Sequence, residues 1–445
     1  MTESSAVLKE TPVKKLFLSY LIPSVLGMLL MSVNILVDGI FVSHGVGEEA
    51  LAGVNIAVPI FSVFLSVSLW IGMGGATMYS ISLGRSEIKA ARSIFTQSFV
   101  VAIGIVSVMA GLSLWKETEL AYFFGANDHI LPYVLDYLHI ILLYGIVFVL
   151  ENMLSIFVRN DGNPRLAMVA LILTSLFNIL FNYMFIFKWN WGIQGAAYAT
   201  VLSAGIGFFV LLFHFLRKTK TLKLVKCKLE WKAIKQIMII GFPSFIVESS
   251  SAVLTMAYNI TFMHYTGELG VTAFAVVNYI HVMFLLLFFG VGAALQPISS
   301  FHFGAKLFSR LKQFLNLAVK TGIALGIGTL LLGWLFGDVF VSMFGVKSQA
   351  VYEFTIKGIG LFFISYLFMS YNLVYVEYYQ SISRIRLSVM IVLMRSIILL
   401  LPLLWILPEI FGVNGIWLAF PVAEGITAVL LFIWNKKHHP VPEPV

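Results

Sequence analysis

Charge is what this sequence has least of. Only 11% of its 445 residues are Asp, Glu, Lys or Arg, while 60% are hydrophobic; an ordinary soluble domain carries about 25% charged residues. That balance excludes a water-soluble globule and leaves a chain solvated by lipid, with a mean hydropathy of +0.94. Cysteine is limited to Cys227, in a basic loop, so neither a disulfide framework nor a thiolate metal site is expected. No G-x-x-x-x-G-K-[ST] loop is present, which excludes ATP hydrolysis by that route, and neither an H-E-x-x-H cluster nor a glycine-rich dinucleotide turn occurs. The acids are single and scattered over different apolar segments, whereas an intramembrane enzyme acting on a lipid-linked substrate needs acids or histidines at close spacing.

What the sequence has instead is long apolar runs. Twelve of them clear the roughly 20 residues a bilayer demands, at about 16–43, 52–83, 92–115, 130–157, 166–187, 193–216, 236–264, 271–303, 311–336, 350–380, 386–407 and 413–435. An all-α integral membrane protein of twelve transmembrane helices is predicted. Lys14 and Lys15 precede a segment far longer than the apolar core of a signal peptide, so it reads as a retained first span. With the N-terminus on the cytoplasmic side, every second connection is basic: RSEIKAAR at 85–92, Arg159 with Arg165, the run RKTKTLKLVKCKLEWKAIK at 217–235, Lys306 with Arg310 and Lys312, Arg384 with Arg386, and KK at 436. The opposite connections carry Glu48, Glu49, Glu117, Glu119, Asp128, Glu268, Asp338 and Glu409. About 23 of the 29 Lys and Arg fall on the first side, which is the positive-inside pattern and puts both termini in the cytoplasm. The net charge of +8 is therefore topology and contact with anionic lipid headgroups, not nucleic-acid binding. The tail NKKHHPVPEPV reads as a short irregular end, its adjacent histidines not a ligand pair.

The chain also repeats itself. A shift of 220 residues superposes Pro23 on Pro243, Gly72 on Gly292, Gly84 on Gly304, FFG at 123 on MFG at 343, and WGIQGAAYA at 191 on FGVNGIWLA at 411. One offset without a correcting gap is a duplication. Six spans per half return the chain to its starting side, so the halves run parallel, related by a pseudo-two-fold along the membrane normal. The predicted organisation is an N-terminal lobe over 1–216, a basic cytoplasmic linker over 217–235, a C-terminal lobe over 236–435 and a tail over 436–445. A cleft between lobes, where parallel-repeat transporters bind substrate and alternate access, is expected.

Against that apolar background one acid stands out. Asp38, in MSVNILVDGIFVS at 31–43, lies six residues before His44, about 9 Å below the outer helix end. A charge at bilayer depth costs roughly 3 kcal/mol on insertion scales, so polar company is required. Asn34 is one turn earlier on the same face; the fifth span offers Asn178 and Asn182, again four apart, and the sixth Thr200. Together they make a buried network. A carboxylate sequestered from water favours its neutral form and so can load a proton on one side and release it on the other. A purely structural Asp, bonded to helix-end backbone near an outer loop, is the alternative. Asp38 has no counterpart in the second half, where Tyr258 occupies its place, and Glu248 maps back onto Met28.

At this point the sequence resembles the multidrug and toxic compound extrusion (MATE) family of drug/cation antiporters, over essentially all twelve spans. The most specific pieces are IFVRNDGNPRLAM at 156–168 and ALQPISSFHFGAK at 294–306, similar to the bacterial branch that includes the staphylococcal multidrug exporter. The resemblance implies two six-helix lobes around a V-shaped cleft and export of lipophilic cations in exchange for inward H+ or Na+. In proton-coupled relatives an acid on the first helix joins polar groups on the fifth and sixth, matched here by Asp38, Asn178, Asn182 and Thr200. Some members carry Asp where this chain has Asn182, so fewer anionic ligands remain for a hard cation such as Na+, and the Asp that sodium-type members hold at mid-depth on the tenth helix is absent, Asn372 and Glu377 standing in that span. The family commonly places a Glu on the seventh helix for cation or substrate; Glu248, roughly 18 Å along that span, matches it, with an ion pair to Arg395 or Lys320 as the alternative.

Of the remaining acids, Glu151 and Glu377 approach the inner face, where pairing with Arg159, Arg384 or Arg395 in a cytoplasmic gate is expected. Glu424 is deeper, either contacting cargo or ion or serving as the partner of a buried polar group. His139 and His281 read as core histidines. The 39 Phe, 17 Tyr and 17 Met suit core packing first and a deformable chamber for flat cations second; Met31, Met256 and Tyr258 are the candidate cargo contacts. The expectation is a bacterial plasma-membrane antiporter without cofactor or resident metal, its coupling ion H+ with Na+ as alternative, its partners lipophilic cations and membrane lipids, and its state a monomer. A flippase for pyrophosphate-linked lipids would need a cationic cleft, and the acids here point to cationic cargo instead.

Overall fold

The computed structural model describes residues 8–217 and 220–442; the remainder of the N-terminal segment, two residues of the basic loop and the last three of the tail lie outside the described residues. Among those described the chain is helical, without a strand. Lipid cannot hydrogen-bond a bare backbone, so each crossing must satisfy its own amides within a helix. Among the described residues, eleven helices are long and apolar enough to cross a membrane: Val13–Val42, Gly53–Gly84, Ile88–Trp115, Leu131–Asn160, Pro164–Lys188, Gly192–Leu216, Trp231–Thr266, Glu268–Gly304, Phe308–Met343, Ile385–Phe411 and Val413–His438. A twelfth crossing is the bent pair Gln349–Phe362 and Ser365–Ser381, whose axes meet at 48°. In chain order that pair is the tenth span.

The tenth span was predicted as one continuous helix, and its break is a correction. The four-residue ladder gives way there to three-residue bonds, Ile364 N to Leu361 O (3.3 Å), Tyr366 N to Phe363 O (3.1 Å) and Leu367 N to Ile364 O (3.3 Å), a local tightening that redirects the axis. Gly358, just before it, faces the Trp417 ring so closely that a Cβ would lie 2.7 Å from it.

Contacts divide the chain into two compact units, Met1–Pro12 with Leu18–Phe245, and Val13–Phe17 with Ile246–Val445. The division falls inside the seventh span. The basic stretch after the sixth span belongs with the first unit: Arg92 Nε donates to Thr221 O (3.0 Å), Val225 N to Thr96 Oγ1 (3.1 Å) and Glu230 N to Gln97 Oε1 (2.9 Å). Trp70 Nε1 donates to Met238 O at 2.6 Å, and Gly241 approaches Trp70 O so closely that a Cβ would lie 1.6 Å away.

The second unit has the more aromatic core. Tyr258, Phe262, Phe274, Phe362, Trp417 and Phe420 are all buried together, with Tyr258 stacked on Phe274 at 4.7 Å between centroids. Such rings contribute about 0.5–1.5 kcal/mol per pair beyond area burial. In the first unit the outer ends of spans one, two, four and six pack through Val42, Ala57, Ile140 and Ala197, small and β-branched residues that let helices approach.

Candidate functional site

In the outer half of the first unit, Asp38, Asn182, Asn178 and Thr200 share one chain of hydrogen bonds. Asn182 Nδ2 donates to Asp38 Oδ1 at 2.5 Å and to Asn178 Oδ1 at 3.1 Å; Asn178 Nδ2 donates to Thr200 Oγ1 at 3.4 Å, and Thr200 Oγ1 donates to Ala196 O at 3.1 Å. Asn178 and Asn182 are buried and Asp38 is half-buried. The helical ladder makes this meeting possible: residues four apart share a face, so Asn178 and Asn182 both turn from the fifth span toward the first and sixth. Immediately after Asn182 the helix widens into a π turn, Tyr183–Lys188, a feature frequent at functional sites.

Asn34 does not join that chain. Its Oδ1 is buried without a partner, because the bonds run outward and sideways from Asp38 to the fifth span, not back along the first. Tyr137, which sequence reasoning passed over as one aromatic among many, lies within interaction range of both Asp38 and Thr200 and is buried.

Two aspartates of this unit make an instructive contrast. Asp161, in the RNDGNP turn, takes Tyr79 Oη (2.8 Å), His214 Nε2 (2.8 Å), Thr221 N (3.2 and 2.9 Å) and Leu222 N (3.1 Å) on its two oxygens. Its donors come from the second span, the end of the sixth and the basic stretch, so this carboxylate ties the stretch to the bundle. Asp38 has one donor, a neutral amide. An ionised carboxylate offers about four acceptor sites; Asp161 fills them and Asp38 does not. Asp161 has the donor set of a structural carboxylate, and Asp38 does not.

The second unit treats the equivalent place differently. Moved on by 220 residues, Asp38 and Thr200 become Tyr258 and Phe420, and these two are in contact: Phe420 N donates to Tyr258 Oη at 3.0 Å. The second repeat therefore puts rings where the first has its carboxylate and its hydroxyl, and joins them directly, whereas Asp38 and Thr200 are linked through Asn182 and Asn178. Tyr258 is fully buried in its own unit's core, which corrects its reading as a cargo contact: no surface of it is open to a ligand. Tyr258→Phe is expected to leave transport unchanged and to lower stability by about 1 kcal/mol, the usual worth of one hydrogen bond, as read by thermal unfolding in detergent.

Arg395, Glu424 and Asn372 form the polar centre of the second unit. Arg395 Nε donates to Glu424 Oε1 at 2.7 Å and its Nη2 contacts the same oxygen; Asn372 Nδ2 donates to Glu424 Oε2 at 2.7 Å. Glu424 is wholly buried. Of its two expected roles the structure favours partnership with a buried polar group. Arg395 sits in a π turn, Met394–Ile398, and stands 5.9 Å from the Phe420 ring. His281 is buried and its Nδ1 faces Tyr366 Oη at 3.0 Å, in keeping with a core histidine. His139 departs from that expectation: its ring is more than half exposed and meets Glu117 Oε2 at 3.0 Å, because the fourth span turns this side chain out of its bundle.

For Glu248 and Glu151 the expected partners differ. Glu248 forms no ion pair with Arg395 or Lys320, since Arg395 is taken by Glu424; it is half-buried on the seventh span. Glu151 meets no arginine either. Its Oε1 accepts from Thr174 Oγ1 at 2.6 Å. Arg384 donates to Pro440 O at 3.3 Å, and Glu377 packs on Gly292, where a Cβ would come 2.6 Å from its Cγ. Met256 is exposed and Met31 half-buried. A cavity of about 930 Å³ in the first unit, walled by Phe181, Trp189, Trp191 and Tyr198 with Asp136, shares no lining residue with the Asp38 chain; indoles at a helix end are the usual furniture of a membrane interface. Among the described residues no group of three or more His, Cys, Asp or Glu is placed to hold a metal ion.

The MatE family profile matches twice, over residues 23–184 and 243–406, and the two matches begin 220 residues apart, the same offset as the internal repeat. This chain belongs to the MatE family. The MatE protein described here is 20% identical to the multidrug export protein MepA of Staphylococcus saprophyticus over 425 residues, 95% of this chain and 93% of the relative, and 20% identical to MepA of Staphylococcus aureus over 427 residues, with the same coverage. Its fold is similar to an outward-facing structure of a MATE multidrug resistance transporter, with a TM-score of 0.92 at 20% identity over 98% of both chains. It is also similar to a transporter of the MOP superfamily from Pyrococcus furiosus, with a TM-score of 0.91 at 20% identity and the same coverage. The twelve-helix, two-bundle architecture and the multi-pass membrane placement of this MatE chain follow from these findings together.

Proposed function

We propose that this MatE protein is a secondary multidrug exporter of a bacterial plasma membrane, with both termini cytoplasmic, that exchanges inward-moving H+ for lipophilic or amphipathic organic cations by alternating access of its two repeats. Export of drugs is what the names of its relatives attach to those proteins, and the family membership supports carrying it over. Proton coupling is supported by one observation above the others: Asp38 lies at bilayer depth with a single neutral donor, in a chain of amides and a hydroxyl that the second repeat lacks. A carboxyl so poorly supplied with donors is not locked into its anion, whereas one that accepts several is. An acceptor for the loaded proton stands next to it in Asn182 Oδ1, buried without a partner.

In mechanism, protonation of Asp38 from outside removes a charge from the first unit and so changes the relative stability of two arrangements; a cation binding elsewhere biases the same equilibrium in the opposite direction. The two ligands need only differ in their affinity for the two states. Acids in both units, Glu248 in particular, favour cationic over anionic cargo. Sodium is the less suited ion, because a hard cation seeks several anionic or carbonyl oxygens and the first unit supplies one carboxylate there.

Dye efflux from proteoliposomes with imposed gradients tests the assignment. An inward proton gradient should drive export and an inward Na+ gradient at equal pH should not; export driven by Na+ alone contradicts the proton reading.

A further inference from the structure

The exchange described above leaves Glu151 without a task, yet the first unit is built around it. On the fifth span Asn182, Asn178 and Thr174 recur every four residues, so they share a face and step inward by about 6 Å each. On the fourth span, which runs the opposite way, Glu151, Ser155 and Arg159 repeat the spacing toward the cytoplasm. The stripes join where Thr174 Oγ1 donates to Glu151 Oε1 at 2.6 Å. A stripe of buried and half-buried polar side chains thus leads from Asp38 at the outer end toward the inner end, passing from the fifth span to the fourth at the Thr174–Glu151 bond.

Two further features mark that junction. Gly207 of the sixth span faces it with no side chain: a Cβ there would lie 2.1 Å from Thr174 Oγ1 and 2.2 Å from Glu151 Oε1. Ser155 Oγ, one turn inward, is buried without a partner. The second repeat does not conserve the arrangement, since Glu151, Thr174 and Gly207 correspond to Tyr371, Met394 and Thr427. A structural carboxylate in this protein looks otherwise: Glu424 has a guanidinium and an amide, Asp161 has donors on both oxygens. Glu151 is 4% exposed with one hydroxyl.

We propose that Glu151 is a second proton-exchange site of the first unit, taking up the proton that Asp38 gives up and passing it to the cytoplasm. Through intervening water, the Asp38 carboxylic acid becomes a carboxylate as the Glu151 carboxylate becomes an acid. Glu151 then returns to carboxylate by giving its proton to cytoplasmic water. No electrons move, and one H+ passes inward. The assignment rests on the reading of Asp38 given above. Among described residues of the packed elements, tyrosines aside, the charged or titratable groups stand at the ends: Lys89, Arg92, Arg159, Asp161, Arg165 and His214 inward, Asp38, His44, Glu117, Glu119, Asp136, His139 and Lys188 outward. Glu151 is therefore the one acid at mid-depth between them.

The test is transport by wild type, Glu151→Gln and Asp38→Asn in proteoliposomes, with interior pH varied across the neutral range at fixed exterior pH. Glu151→Gln keeps the acceptor for Thr174. It is expected to bind cargo as wild type in a fluorescence titration, to exchange roughly a hundredfold more slowly, the scale of losing a positioned proton-transfer group, and to lose its dependence on interior pH. A wild-type rate and interior-pH profile for Glu151→Gln overturns the inference while leaving Asp38 in place; a wild-type rate for Asp38→Asn overturns the reading beneath it. Should Glu151→Gln fail to fold, Thr174→Val keeps the acid and removes its donor, and is expected to displace the interior-pH profile; an undisplaced profile overturns the proposal.

Discussion

Asp38→Asn is expected to fold, to bind cargo and to lose gradient-driven export by about a hundredfold or more, the scale typical of removing a positioned acid from a proton-transfer step. The expectation follows from how little the substitution changes. Asn has the shape of Asp and retains an oxygen to accept from Asn182 Nδ2, which lies 2.5 Å from the native carboxylate. No other described donor loses a partner, and no ion pair is broken. What disappears is the capacity to gain and lose a proton, so a loss of export cannot be ascribed to a damaged bundle if the thermal midpoint stays put. Dye efflux against an imposed pH gradient, paired with thermal unfolding in detergent, measures both quantities. Asp161→Asn supplies the opposite pattern: its carboxylate holds Tyr79, His214 and two backbone amides, so that substitution should lower stability before it touches the coupling ion.

Arg395→Met should be the most destabilising single change in the second unit, by about 3–5 kcal/mol, because it strands the Glu424 carboxylate in a dry interior. Glu424 is wholly buried, and its remaining donor would be the Asn372 amide at 2.7 Å. Desolvating an ion costs several kcal/mol, which its partner repays only while both are present. The double change Arg395→Met with Glu424→Leu removes both charges and is expected to recover most of the loss, since apolar replacement of a buried pair is often neutral or better. Denaturant unfolding in mixed micelles reads the stability of each variant. Transport separates the pair's two meanings: if Glu424 serves the second unit's packing, the double variant exports near the wild-type rate, and if it holds ion or cargo, the double variant is folded but inactive.

Much of this architecture is written in the sequence, for a physical reason. Lipid enforces length and apolarity on every crossing, so eleven spans were legible, most to within a few residues, the ninth running on past its expected end at 336 to Met343, and the duplication was visible as a single offset. The polar chain of the first unit was legible by the same token: Asn178, Asn182 and Thr200 are costly in a bilayer, and their helical spacing said which would share a face. Contacts between distant segments left no such trace. Asp161 and His214 stand 53 residues apart, and nothing in the periodicity of either span announces their meeting. Tyr137 was hidden because tyrosine is unexceptional among so many rings, although its hydroxyl lies beside Thr200. Tyr258 misled for the converse reason, its polar hydroxyl being spent on a backbone amide inside the core. The bend in the tenth span, at the three-residue bonds of Phe363 to Leu367, has no proline or glycine of its own to announce it.

Proton release on cargo binding, followed with a pH-indicating dye in weakly buffered detergent solution, bears most directly on the exchange at Asp38. Saturating a wild-type sample with a lipophilic cation should liberate protons, and the same addition to folded Asp38→Asn should liberate measurably fewer. Equal release from both proteins would contradict the assignment of the coupling proton to that carboxyl.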